Sequence, residues 1–504
     1  MRTTLILVIT ILISLPATGD SNSQQQGAKT AMSPSLVLTP CNIEGTSEKV
    51  MCGTYPVFED RNAKKGRQIT LKVVVFPATG LERAPDPFVY IPGGPGSSAT
   101  EDAPYVAPQF AKIREHRDLL FVDQRGTGGS HPLNCKFFNE SDLQSYLGYF
   151  FPLEDVRKCR QELEQKADLT LYTTPIAMDD LDEVRAALGY KQLNLFGGSY
   201  GTRASLVYLK RHPKHVRTVT LQGVAPTNQF MPLDFAQAME RALQGILSEC
   251  NADESCNRAF PNLRAESKAL IERLSQGPIE VEVRKNFARG GDAGASGNPE
   301  ERVKVKLSRD LAAEAVRYML YHPGPASRAP LLIHEAAQGN FVPLAESALN
   351  YRRNLVGTGA NGMYLTITCA EDLPWIKPGE GERLAANTFL GDYRLRQQRE
   401  ACTLWPRATI PNNYSEPVRA ETPVLILTGQ WDPVTPPSNG DAAARNLPNS
   451  LHVVVPHGAH GFGDLEGVDC IERLNTEFVE KGSVKGLDTS CVKNIRRKGF
   501  SVKL

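Results

Sequence analysis

Short apolar runs alternate along much of the chain with longer segments in which apolar residues recur at helical spacing. Leu71–Phe76 and Phe88–Ile91 are β-branched or aromatic runs of strand length, and Asp118–Val122 is a third, ended by a Gly-rich turn. Met178–Gly189 predicts a helix. Leu181, Val184 and Leu188 fall on one face, and Asp179 and Asp180 sit in the first turn, where negative charge is favoured. Gln192–Phe196 predicts a strand, followed by Gly-Gly-Ser-Tyr-Gly and a helix through Leu209. Val216–Leu221 predicts the next strand. Strands alternating with helices indicate a parallel sheet.

The rhythm changes near Pro226. From Pro232 to about Ser415 the pattern is mostly helical, as at Phe235–Leu247 and Leu311–Leu320. Between Ile279 and Leu307 two alternating runs flank the Gly-rich stretch Arg289–Gly297, which predicts an exposed hairpin loop. Strand and helix then alternate again at Val424–Leu427, Asp441–Arg445, Leu451–Val455 and Val468–Glu480. The expected organisation is a signal (1–19), a leader with a disulfide hairpin (20–69), the first part of a core (70–230), a cap insertion (231–415) and the rest of the core (416–504). The expected fold class is α/β: a mostly parallel sheet flanked by helices, with a large, mainly helical cap beyond the C-terminal edge of the strands. Ligands bind at that edge in open α/β sheets.

Composition narrows the function. The 504 residues are 41% hydrophobic and 22% charged with a net charge of +1, which excludes general disorder and offers no basic face for nucleic acid. Arg496-Arg497-Lys498 reads as a solvated tail. Arg2, the apolar run Leu5–Leu15, Pro16 and the small residues Ala17 and Gly19 have the form of a secretory signal. The run falls short of the roughly 20 residues of a membrane span. A secreted or periplasmic protein without stable membrane insertion is expected. The ten cysteines fit an oxidising compartment. No Cys-x-x-Cys or Cys/His cluster points to zinc. Spacing does not fix connectivity; pairing neighbours in order gives Cys41–Cys52, Cys135–Cys159, Cys250–Cys256, Cys369–Cys402 and Cys470–Cys491.

Gly197-Gly198-Ser199-Tyr200-Gly201 fits a nucleophile elbow, in which a serine sits on a sharp strand-to-helix turn between small residues. The pattern is common by chance, but here it has the strand before and the helix after that the chemistry requires. A serine hydroxyl needs a base. Asp432, in Gly429-Gln430-Trp431-Asp432-Pro433, and His460, in Gly458-Ala459-His460-Gly461, follow the last two strands in the order Ser, Asp, His. His457 and Asp441 are the rival base and acid. Ile91-Pro92-Gly93-Gly94-Pro95-Gly96 exposes backbone amides after a strand, so Gly93 or Gly94, with the Tyr200 amide, is the expected oxyanion hole. It lacks the Lys and Ser/Thr of a phosphate-binding loop. This chemistry calls for no metal and no organic cofactor.

These stretches, together with Asp123-Gln124-Arg125-Gly126-Thr127-Gly128, resemble the serine peptidases that include prolyl aminopeptidases and bacterial tripeptidyl aminopeptidases. The resemblance spans roughly residues 70 to 490, and the long cap is closer to the tripeptidyl enzymes. It implies the α/β-hydrolase fold, a Ser199–His460–Asp432 triad, a peptide substrate and a role for the Asp123 run in bracing the oxyanion loop. Pro92 and Gln222 depart from the residues relatives often carry there, namely His and Asp. An aminopeptidase needs a negative group for the substrate ammonium, and Glu371 and Asp372, anchored through Cys369, are the expected carboxylates. A carboxylesterase or lipase using the same triad is the alternative, and a non-catalytic binding protein on the same scaffold is a third reading. Oligomeric state is not legible.

Overall fold

The computed structural model describes residues 36–504 apart from residues 140, 286–300 and 358. The expected signal at 1–19 and the whole Arg289–Gly297 loop lie outside the described residues. In chain order the strands of three or more residues are β1 (Thr39–Cys41), β2 (Val50–Phe58), β3 (Gln68–Phe76), β4 (Phe88–Ile91), β5 (Leu119–Val122), β6 (Leu193–Gly198), β7 (Val216–Gln222), β8 (Ile279–Arg284), β9 (Arg302–Leu307), β10 (Val424–Gly429) and β11 (Ser450–Val455). Nine of them form one sheet in the order β1-β2-β3-β5-β4-β6-β7-β10-β11. The first three run antiparallel, and the six from β5 to β11 are mutually parallel.

Strand composition explains this layering. β5 and β10 are buried at every position, as strands covered on both faces must be. Alternate residues enter two separate cores. Val73, Val75, Val89, Ile91, Leu120 and Val122 face one side. Val74, Phe76, Phe88, Leu119 and Phe121 face the other, against helix Asp469–Lys481. The first face also receives helices Thr174–Ala187 and Tyr200–Arg211, and its core runs on without a break into the insertion.

The insertion between β7 and β10 is mainly helical, from Phe235–Ala252 to Tyr393–Leu404, with β8 and β9 paired as an antiparallel hairpin. All five expected disulfides form, and none of the described cysteines is free. No helix among the described residues is long and apolar enough to cross a membrane. Register aligns the strand ends: Ile91 pairs with Gly197, Gly198 with Gln222, and Leu427 with Gln222. The loops after β4, β6, β7, β10 and β11 therefore leave the sheet along one edge.

Candidate active site

Ser199 stands between β6 and helix Tyr200–Arg211 with φ 54° and ψ −121°, a conformation that costs energy for any residue with a Cβ. Its surroundings hold it there. Its amide donates to Gln222 O at 2.9 Å. Its carbonyl accepts from the Thr202 amide at 2.9 Å and from Thr202 Oγ1 at 2.6 Å. The flanking glycines are required sterically. A Cβ on Gly197 would lie 2.4 Å from Gly201 O, and one on Gly201 would lie 2.0 Å from Ile91 O. The helix N-terminus that follows favours negative charge beside Ser199.

Asp432 and His460 come together across the loops after β10 and β11, with His460 Nδ1 2.8 Å from Asp432 Oδ2. The Asp432 carboxylate is saturated. Oδ1 accepts the Val434 and Thr435 amides, each at 2.8 Å, and Oδ2 also accepts Thr435 Oγ1 at 2.8 Å. Burial alone would raise its pKa, but His460 and these donors outweigh burial and hold the carboxyl below the usual range. A proton on Nδ1 shared with Asp432 leaves Nε2 with a lone pair. The ring lies against the β7 end, where a Cβ on Gly223 would meet His460 Cε1 at 3.1 Å. Gly223 follows directly on Gln222, which holds the Ser199 amide.

The loop after β4 passes over the elbow: a Cβ on Gly93 would lie 3.1 Å from Ser199 Cβ. Asp123 braces this loop from below. Its carboxylate accepts Ser98 Oγ, Thr100 Oγ1 and the Gly129 amide, each at 2.8 Å, and the Thr100 amide at 2.9 Å. Arg125, fully buried, forks onto Asp180 at 2.6 and 2.9 Å. The rival residues are engaged elsewhere. His457 Nδ1 lies 2.8 Å from Glu249, and Asp441 pairs with His452.

The insertion reaches the site through residues that sequence reasoning missed. Arg241 donates to Gln430 O at 2.6 Å and to Asp432 O at 3.2 Å, fixing the backbone around the acid. It stands one turn before Gly245 on helix Phe235–Ala252, where any Cβ would strike the Trp431 ring. Tyr321 accepts the Gly461 amide at 2.9 Å and packs its ring edgewise on His460 at 5.2 Å. Of the expected solvated tail, Arg496 and Lys498 are exposed, but the Arg497 side chain is covered, donating to Glu249 at 2.9 Å and to Pro323 O at 2.8 Å where the chain packs onto the insertion.

Glu371 and Asp372 call for a second correction. Both are fully buried, and neither carboxylate is presented to a cleft. Glu371 accepts the Thr174 amide and Thr174 Oγ1, each at 2.7 Å, together with the Tyr414 hydroxyl. Asp372 accepts Arg203 at 2.8 Å and the Met231 amide at 2.9 Å. Helix Asn361–Glu371 points its end into the protein, where these acids accept from buried donors beneath helix Tyr200–Arg211, so a substrate ammonium has no exposed oxygen to meet. Thr174 Oγ1 also lies 2.7 Å from the Tyr200 hydroxyl, so Glu371 is linked to the residue that follows Ser199.

Comparison with known proteins agrees with this architecture. Residues 86–259 match the family described as alpha/beta hydrolase fold, and residues 387–491 match that described as TAP-like protein. A tripeptidyl aminopeptidase of Streptomyces coelicolor is 32% identical over 465 residues, spanning 88% of this chain and 83% of that one. Serine protease Hip1 of Mycobacterium tuberculosis is 25% identical over 488 residues, spanning 90% of each chain. Carboxylesterase B of Mycobacterium tuberculosis is 25% identical over 506 residues, spanning 94% of this chain and 93% of that one. Identity of this extent to a peptidase, running through both halves of the sheet and the insertion between them, identifies a serine hydrolase of peptidase type. The chain belongs to the α/β-hydrolase serine peptidases that include the tripeptidyl aminopeptidases.

Proposed function

We propose that this chain is an exported aminopeptidase that releases short N-terminal pieces from peptides, with Ser199 as nucleophile, His460 as base and Asp432 as the acid that orients it. The observation that carries this reading is the pairing of a left-handed Ser199 at a helix N-terminus with a His460–Asp432 contact of 2.8 Å at the same sheet edge. Ser199 Oγ attacks the scissile carbonyl as His460 Nε2 takes its proton, and His460 then returns that proton to the leaving amine. Asp432, held ionised, fixes the imidazole and stabilises its charged form. The amides of Tyr200 and of Gly93 or Gly94 receive the oxyanion. Residues 231–415 act as the cap that shapes the cleft over this edge. Five disulfides among the described residues support export, with residues 1–19 as the signal.

Ser199→Ala should lower kcat by roughly a millionfold without unfolding the protein. Retention of most activity in the purified variant would remove Ser199 from the role. A panel of chromogenic peptides with free and blocked N-termini, alongside blocked esters, tests substrate class. Preference for free N-termini is expected. Preference for blocked esters would instead favour a carboxylesterase, the activity that the name of one relative carries. N-terminal sequencing of the exported protein tests the signal.

A further inference from the structure

The far end of the nucleophile helix carries a cluster that the hydrolytic chemistry does not use. Helix Thr174–Ala187 presents Asp179 and Asp182, one turn apart on one face. Opposite them stand His212, which closes helix Tyr200–Arg211, and His215, at the end of the short turn Pro213–His215. His215 Nδ1 lies 2.7 Å from Asp182 Oδ1, and His212 Nδ1 lies 3.7 Å from Asp182 Oδ2. His212 Nε2 lies 2.9 Å from Asp179 Oδ1. The two imidazole planes are nearly parallel, 8° apart with centroids at 6.0 Å. One ligand atom from each of Asp182, His212 and His215 lies within 4.8 Å of the others.

We propose that Asp182, His212 and His215 form a binding site for a divalent transition-metal ion of the zinc type, with Asp179 as the outer carboxylate. The Asp179 contact places the proton of neutral His212 on Nε2, so Nδ1 turns a lone pair toward the Asp182 carboxylate. That juxtaposition is relieved either by a second proton, which makes His212 an imidazolium between two carboxylates, or by a cation between the two groups. A carboxylate on the remote imidazole nitrogen is the arrangement that orients a ligating histidine and raises its basicity. Tetrahedral zinc with ligands at about 2.1 Å needs donor atoms about 3.4 Å apart; His215 Nδ1 lies 2.7 Å from Asp182 Oδ1, His212 Nδ1 lies 3.7 Å from Asp182 Oδ2, and the three residues' donor atoms fall within 4.8 Å of one another. Binding requires the 2.7 Å contact between Asp182 and His215 to open to about 3.4 Å and the His215 proton to move from Nδ1 to Nε2.

The neighbours set the strength. Arg185 donates to Asp182 at 2.7 and 3.3 Å, Tyr208 donates to it at 2.8 Å, and Arg211 forks onto Asp179 at 2.7 and 2.6 Å. The two carboxylates are thus matched by two guanidiniums, so the imidazoles rather than net charge select the ion. This favours zinc, nickel or copper over magnesium or calcium, with micromolar rather than nanomolar affinity. The ion would tie two core helices together at the end opposite Ser199, about 18 Å away along a twelve-residue helix. Its role would be stabilising, not catalytic.

Chelator-treated full-length protein titrated with zinc chloride in a calorimeter should bind one ion and gain melting temperature, and cobalt should give the absorption of a tetrahedral site. His212→Ala and His215→Ala should each weaken binding more than a hundredfold, and Asp179→Asn about tenfold. All three should keep wild-type turnover, which shows that they are folded. No heat and no melting shift up to about 1 mM zinc, well above the micromolar range, would overturn the proposal. So would unchanged zinc affinity in both histidine variants, or equal affinity for magnesium.

Discussion

Asp432 and Glu371 are both fully buried, and both carboxylates accept hydrogen bonds on both oxygens, yet their acidities move in opposite directions. At Asp432 burial is overcome by a neighbour that can carry positive charge, His460, and by two backbone amides. At Glu371 burial dominates because its donors are hydroxyls and one amide, with Arg203 acting only from a distance, and its pKa rises to about 7. Equal depth therefore does not fix the direction: at Asp432 the imidazole in direct contact and the backbone amides outweigh burial, and at Glu371 the hydroxyls and one amide do not. One acid is equipped to steady an imidazolium. The other is a structural peg beneath helix Tyr200–Arg211 whose pKa of about 7 puts its change of charge near neutrality.

The most severe test of the contrast is Asp432→Asn. It keeps shape but presents the wrong partner to His460 Nδ1, and kcat/KM should fall about 10⁴-fold in steady-state kinetics. A loss below tenfold would mean that Asp432 does not orient the base. The next test is Glu371→Gln. The folded state holds this proton more tightly than the unfolded chain, whose ordinary value is 4.5. The stability it contributes is complete below pH 4.5 and is lost as the pH rises through about 7. The wild type should lose about 3 kcal/mol relative to the Gln variant between pH 4.5 and 8, read by denaturant titration at several pH values. A difference independent of pH would show that Glu371 is not the titrating group. Smallest is Arg241→Met, which frees the Gln430 and Asp432 carbonyls. A slackened acid loop should cost between about tenfold and a hundredfold in kcat, with KM little changed. An unchanged kcat would show that the loop holds the acid without the insertion.

Much of this was legible in the sequence. The strands, the elbow, Asp432 and His460 are short-range patterns, each set by a few consecutive residues at a strand end. The fates of Glu371 and Asp372 were not, because their partners Thr174, Arg203 and Met231 are 197, 169 and 141 residues away. A carboxylate meant for a ligand and one meant for a buried threonine look alike beside Cys369. Arg497 misled for the same reason: a basic run at the end of a chain looks solvated until Glu249, 248 residues earlier, is found beneath it. Arg241 and Tyr321 escaped notice because backbone carbonyls and amides, their partners at the site, leave no mark in a sequence.

The pairing of β7 with β10 joins residues about 200 positions apart, a closure that is slow for any chain because so much must be ordered before the contact forms. Ser199 belongs to the segment made early, and Asp432 and His460 to the segment made late. Under the proposed triad, a chain that stops short of Val424 holds the serine without its acid or its base, and hydrolytic competence would arise only when the two halves of the sheet zip together.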